Sequence, residues 1–180
     1  MARSAARGRD MVISLAVLFV PVVLVTWFFT HDPAPEVEAV DVAPVLAEAE
    51  AQSPYPVLHP EALEWTPVRV AWAADGQRWI TDEPAVGNSW QVGYLAPEGT
   101  YVGLQQRDRA PDEFLAAITR DGAPGGETTD AAGLTWQHWV SADGRTTSLV
   151  WRDGDLTAAI TADADFDLLA AFAGTLTSST

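Results

Sequence analysis

The chain has 180 residues, 48% hydrophobic and 19% charged, which is apolar material for one domain plus attachments. It has no cysteine, which excludes disulfides, thiolate metal sites and a cysteine nucleophile. The net charge is −15 and all ten basic residues are arginine; beyond residue 30 seven arginines face 24 acids. Such a surface repels nucleic-acid phosphate and anionic lipid, so no nucleic-acid partner is expected.

Residues 1–10 hold Arg3, Arg7 and Arg9 with a single acid, Asp10. "MVISLAVLFVPVVLVTWFF", residues 11–29, follows as 19 residues without a charge. At about 1.5 Å per residue a helix of that length nearly crosses a hydrocarbon core of about 30 Å. Pro21 is tolerated in a spanning helix, and Trp27, Phe28 and Phe29 suit the membrane–water interface. Basic residues before the segment and acids after it predict a cytoplasmic N-terminus and an extracytoplasmic remainder. A cleaved signal peptide is the competing reading, but its apolar region is normally only about 7–15 residues long.

Residues 30–54 read as an acidic, proline-punctuated linker. Within it Val42, Val45, Leu46 and Ala49 form a helical stripe over residues 41–52. "SPYPVLHPEALEW" (53–65) is an extended lead-in, because residues before proline avoid the helical region. From residue 55 to 180 the chain reads as one α+β domain.

Period-two alternation predicts strands at 68–74, 89–95 and 100–107. Pro111, Asp112 and Glu113 open a helix over 111–121, and "GAPGGE" (122–127) stops it. Further strands are expected at 133–140, 146–152 and 156–162, then a helix over 163–176. Asp-Gly turns follow Asp75, Asp143 and Asp153. The order βββα–βββα, with "FLAAI" (114–118) echoed by "LLAAF" (168–172), suggests an internal duplication. Its simplest form is one antiparallel sheet of about six strands with both helices on one face.

The chain offers few candidates for chemistry. His138 lies between Trp136 and Trp139, yet alternation puts it on the face of Trp136 and sends Trp139 to the other. A histidine without a sequence partner reads as structural, and His31 and His59 lack metal-ligand spacing to it. "DADFD" (163–167) resembles the start of a calcium loop, but Leu168 and Gly174 stand where that loop needs glycine and glutamate. It reads better as a cap and acidic first turn. Nucleophile-elbow, zinc-protease and phosphate-loop motifs are missing, so no catalytic, cofactor or metal residue is assigned. Seven tryptophans outside residues 11–29 supply core area, and any that stay exposed mark a binding patch.

Taken together, "RDMVISLAVLFVPVVLV", "YPVLHPEALEW", "WQVGYLAPEGTYVGLQQ", "GLTWQHW" and "ITADADFDLLAAFAGTL" resemble the DUF4245 family of single-anchor proteins of high-GC Gram-positive bacteria. The resemblance covers nearly the whole chain and implies its location and layout; it brings no activity and no catalytic residue. The expectation is a single-pass membrane protein whose outer domain binds an envelope protein or cell-wall component. A carboxylate-based envelope hydrolase and a tryptophan-based glycan-binding module are the alternatives.

Overall fold

Alternation builds most of a sheet, and the structure, a computed structural model, describes it over residues 12, 13, 15, 17–23, 25, 26, 37–61 and 63–178. The strands are β1 (Leu58–Pro60), β2 (Thr66–Ala73), β3 (Ser89–Leu95), β4 (Tyr101–Arg107), β5 (Ala123–Ala131), β6 (Leu134–Val140), β7 (Thr147–Asp153), β8 (Leu156–Ala162) and β9 (Leu176–Ser178). Three helices accompany them: α1 (Ala43–Gln52), α2 (Pro111–Ile118) and α3 (Phe166–Ala173). Strands β2 to β8 form one antiparallel sheet in the order β2-β3-β4-β8-β7-β6-β5. Strands β1 and β9 pair separately. Residues Glu38–Thr180 cluster as one compact unit.

The α+β class and the antiparallel sheet agree with the pattern, but the order of elements does not. The second half has a fourth strand, β5, where "GAPGGE" reads as a stop. Its sequence, APGGETTDA, is mostly exposed and has no apolar alternation. It joins the sheet at an edge through its backbone, with a bulge between Pro124 and Thr128. Ala132 and Gly133 turn it into β6 with φ of 53° and 74°, the two left-handed residues of a tight hairpin.

The two longer-range helices lie on opposite faces, which corrects the one-sided arrangement. Leu169 and Phe172 of α3 pack with Trp90, Val92, Leu104, Leu149 and Ile160. Leu115 of α2 packs instead with Val150 and Ala159. Leu149 and Val150 are consecutive on β7, so they point to opposite sides. The cause is that the centre of the sheet is apolar on both faces, and each needs cover. Strands β4 and β8 meet antiparallel at the centre. A two-fold axis relating them stands normal to the sheet and would keep both helices on one side, so simple duplication does not describe this fold.

The helical stripe behaves as its spacing predicts. Asp41 accepts the Ala43 N–H at 3.1 Å and Pro44 sits in the first turn of α1. Ala49 is fully buried, with Val42, Val45 and Leu46 against the same core. The linker's helix is therefore part of the packed domain. The lead-in crosses this face and is held by two buried side chains. Gln106 accepts the Leu58 N–H at 2.7 Å and donates to the Pro56 carbonyl at 3.2 Å, while the Trp90 indole donates to the Leu58 carbonyl at 2.9 Å.

Part of the expected spanning segment, including residues 11, 14, 16, 24 and 27–29, lies outside the described residues. The described positions from 12 to 26 are helical. Among the described residues no helix is long and apolar enough to cross a membrane.

Candidate binding groove

Strands β2 to β4 turn a different set of residues away from α3. Register places Gln91 opposite Gln105 and Arg69 opposite Gly93, which in turn faces Gly103; Arg107 faces Ser89. These residues share the face that α2 covers only in part. The Tyr101 ring lies across Gly93 and Gly103 and fills the space a side chain at 93 would take.

The connection from β2 to β3 folds back over this surface. Asp75 accepts the Gly87 N–H at 2.8 Å and pairs with Arg109 at 2.7 Å. Asp108 takes both the Asn88 N–H at 2.7 Å and its side-chain amide at 2.6 Å. Gly87 has φ of 75° and no room for a Cβ beside Asp108 and Arg109. Arg78 pairs with Asp82 and bridges by its backbone to Pro84, which stiffens the tip. Between this connection and α2 lies a groove of about 440 Å³, lined by Arg69, Trp79, Gln91, Gln105, Arg107 and Phe114. Ile80 and Val86 stand exposed on its rim.

Its charge is unusual for so acidic a domain. Arg78, Arg109, Arg120 and Arg152 each pair with an aspartate. Arg69 and Arg107 form no ion pair among the described residues. Arg107 is half-buried, its guanidinium carbon sits 4.7 Å over the Phe114 ring, and its buried Nε has no acceptor. Burial pushes its pKa down, and the nearby Tyr55 and Glu113 oppose that. The side chains of Gln91 and Gln105 make no protein hydrogen bond among the described residues. The groove is thus a partly apolar cleft with open donors and acceptors on its floor.

The residues singled out in the sequence lie elsewhere. His138 stacks on Phe166 at 3.9 Å and 17°, its Nε2 is 2.8 Å from the Thr129 hydroxyl, and Glu127 stands 3.7 Å from Nδ1. It is a packed peg between β5, β6 and α3. Trp136 is fully buried with the α3 core, and Trp139 packs beside Leu115 under α2. Each indole is covered by a different helix. Trp90 is also fully buried, while Trp65, Trp72, Trp79 and Trp151 are half-buried.

Asp165 caps α3 by accepting the Leu168 N–H at 3.0 Å, as the capping reading requires. Asp163 takes the Thr146 hydroxyl and lies 3.8 Å from Arg120. Among the described residues no cluster of His, Asp and Glu could hold a metal ion, and His31 lies outside them. Arg69, Gln91, Gln105 and Arg107 escape a sequence reading for a simple reason. Polar residues alternating with apolar ones look like an ordinary solvent face.

The fold and groove define a class: an antiparallel α+β domain, helix-covered on both faces, with a partly cationic cleft at one side. The chain belongs to the family described as "Protein of unknown function (DUF4245)", whose model matches residues 3–176. No curated protein and no solved structure gives a match.

Proposed function

We propose that this protein is a membrane-tethered binding module, anchored by residues 11–29 with its N-terminus in the cytoplasm and its α+β domain outside. The groove between α2 and the β2–β3 connection receives an envelope protein or cell-wall component. The carrying observation is the groove floor, where Arg107, Gln91 and Gln105 leave polar groups open, whereas Gln106 on the other face has both ends of its amide paired. The anchor is supported by the uncharged run and by the apolar side chains at described helical positions, where Val17 and Leu18 are 69% and 68% exposed. That exposure suits lipid.

The absence of cysteine makes the test clean. A Thr81→Cys variant carries a single thiol beside the groove, and Ser4→Cys carries one before the anchor. A membrane-impermeant maleimide should label Thr81→Cys on intact protoplasts and Ser4→Cys only after permeabilisation; the reverse pattern overturns the topology. An occupied groove should also slow labelling of Thr81→Cys in cells relative to purified protein. Arg145→Cys, in an exposed turn, serves as the reference. Equal slowing at both positions overturns the groove as the binding surface.

A further inference from the structure

We propose that the groove recognises a single carboxylate carried on a short apolar peptide, with the Arg107 guanidinium as its anchor. This rests on reading the groove as the binding surface. Of the seven arginines beyond residue 30, Arg69, Arg107 and Arg145 form no ion pair among the described residues, and Arg107 alone of these three is half-buried while the other two are exposed. The Phe114 ring occupies the flat face of its guanidinium at 4.7 Å, which leaves the donor edge for an incoming acid. Its Nε is buried without an acceptor, so an incoming acid meets the two outer Nη donors. A planar fork of this kind matches a carboxylate with two parallel hydrogen bonds.

The surroundings define what carries the acid. Gln91 and Gln105 face each other across β3 and β4, and each offers an amide donor and acceptor. That pair complements a peptide group. Val86 and Ile118 supply apolar wall. A cleft of about 440 Å³ lies in the small-ligand range, so it admits a few residues and not a folded domain. Arg69 stands two strands and four residues from Arg107, roughly 16 Å between Cα atoms by strand geometry. It places a second positive charge at the far end, which offsets the domain's acidic field for an approaching anion. Glu83 on the rim and Glu113 near Arg107 disfavour a multiply charged ligand such as phosphate.

The test uses the full chain in neutral detergent micelles, followed by NMR at the Arg107 Nε–H and the Trp79 indole N–H. The titrants are N-acetyl-leucine, N-acetylleucine amide and inorganic phosphate. N-acetyl-leucine should move both signals saturably, and its amide should bind at least tenfold more weakly. Arg107→Gln should lose at least tenfold in affinity and Gln105→Leu several-fold, while Arg145→Gln should leave binding unchanged. The two groove variants are independent, so one that fails to fold leaves the other to decide. Equal binding of acid and amide overturns the carboxylate assignment and leaves the groove as a binding surface. Tighter binding of phosphate also overturns it, in favour of a phosphorylated ligand. Groove signals that no titrant moves overturn both the inference and the reading beneath it.

Discussion

Gln105 and Gln106 are neighbours on β4 and point to opposite faces of the same sheet. Gln106 is 1% exposed and uses both ends of its amide to hold the lead-in strand. Gln105 lies in the groove beside Gln91 and Arg107, with no protein partner among the described residues. On one face the amide is fully paired; on the other it is left open. A buried donor left unpaired costs about 1–3 kcal/mol, and Arg107 Nε beside Gln105 is one. The contrast separates residues that hold the domain together from residues available for binding.

The largest expected effect is on the closed face. Phe172→Ala removes a fully buried ring and should cost about 3–5 kcal/mol in urea unfolding. Ile118→Ala, at the groove and half-buried, should cost about 1–2 kcal/mol by the same measurement. A reversal of that order would mean the groove side is the true core.

The glutamine pair sharpens the comparison. Gln106→Ala strands the Leu58 N–H and the Pro56 carbonyl and should cost about 1–3 kcal/mol. Gln105→Ala should stay within about 0.5 kcal/mol of the parent. Equal losses would break the division between faces.

A pH series tests the closed face without changing its packing. The Tyr55 hydroxyl donates to the Asn88 carbonyl at 3.0 Å, and burial pushes its pKa well above the usual tyrosine value of 10.0. The unfolded chain begins to ionise near pH 10 while the folded chain holds the proton. Stability is therefore full below pH 10 and falls as pH rises beyond it. Melting temperatures across that range should show the fall, and Tyr55→Phe should lessen it while losing one hydrogen bond, leaving the share of Tyr94, whose pKa burial also raises. A parent curve as flat as that of the variant would mean the phenol is not closed in.

One modest effect is a gain. Arg107→Met sets an apolar side chain beside Phe114 in place of the guanidinium and removes an unpaired, half-buried charge, so it should stabilise the domain by up to about 1 kcal/mol. A loss of that size would show that Arg107 holds the fold and is not reserved for a ligand.

Alternation made the strands legible because a strand with one face more buried than the other writes its period into the chain. Trp136 and Trp139 sort onto opposite faces for that reason, and Asp165 declares itself as a cap by its place before an apolar run. Strand β5 stayed hidden because an exposed edge pairs through main-chain groups that any residue carries. The groove stayed hidden because Arg69, Gln91, Gln105 and Arg107, carried on three strands, become a site only when the β2–β3 connection folds over them.

By itself the sequence determined the family, the α+β class, the charge balance and the apolar stripe of α1, all set by local composition and spacing. Tertiary structure alone decided which helix covers which face, where β5 pairs and which polar side chains remain open. Those outcomes depend on long-range packing: α2 and α3 each carry one apolar stripe, and only the assembled sheet, apolar at its centre on both sides, sends them apart.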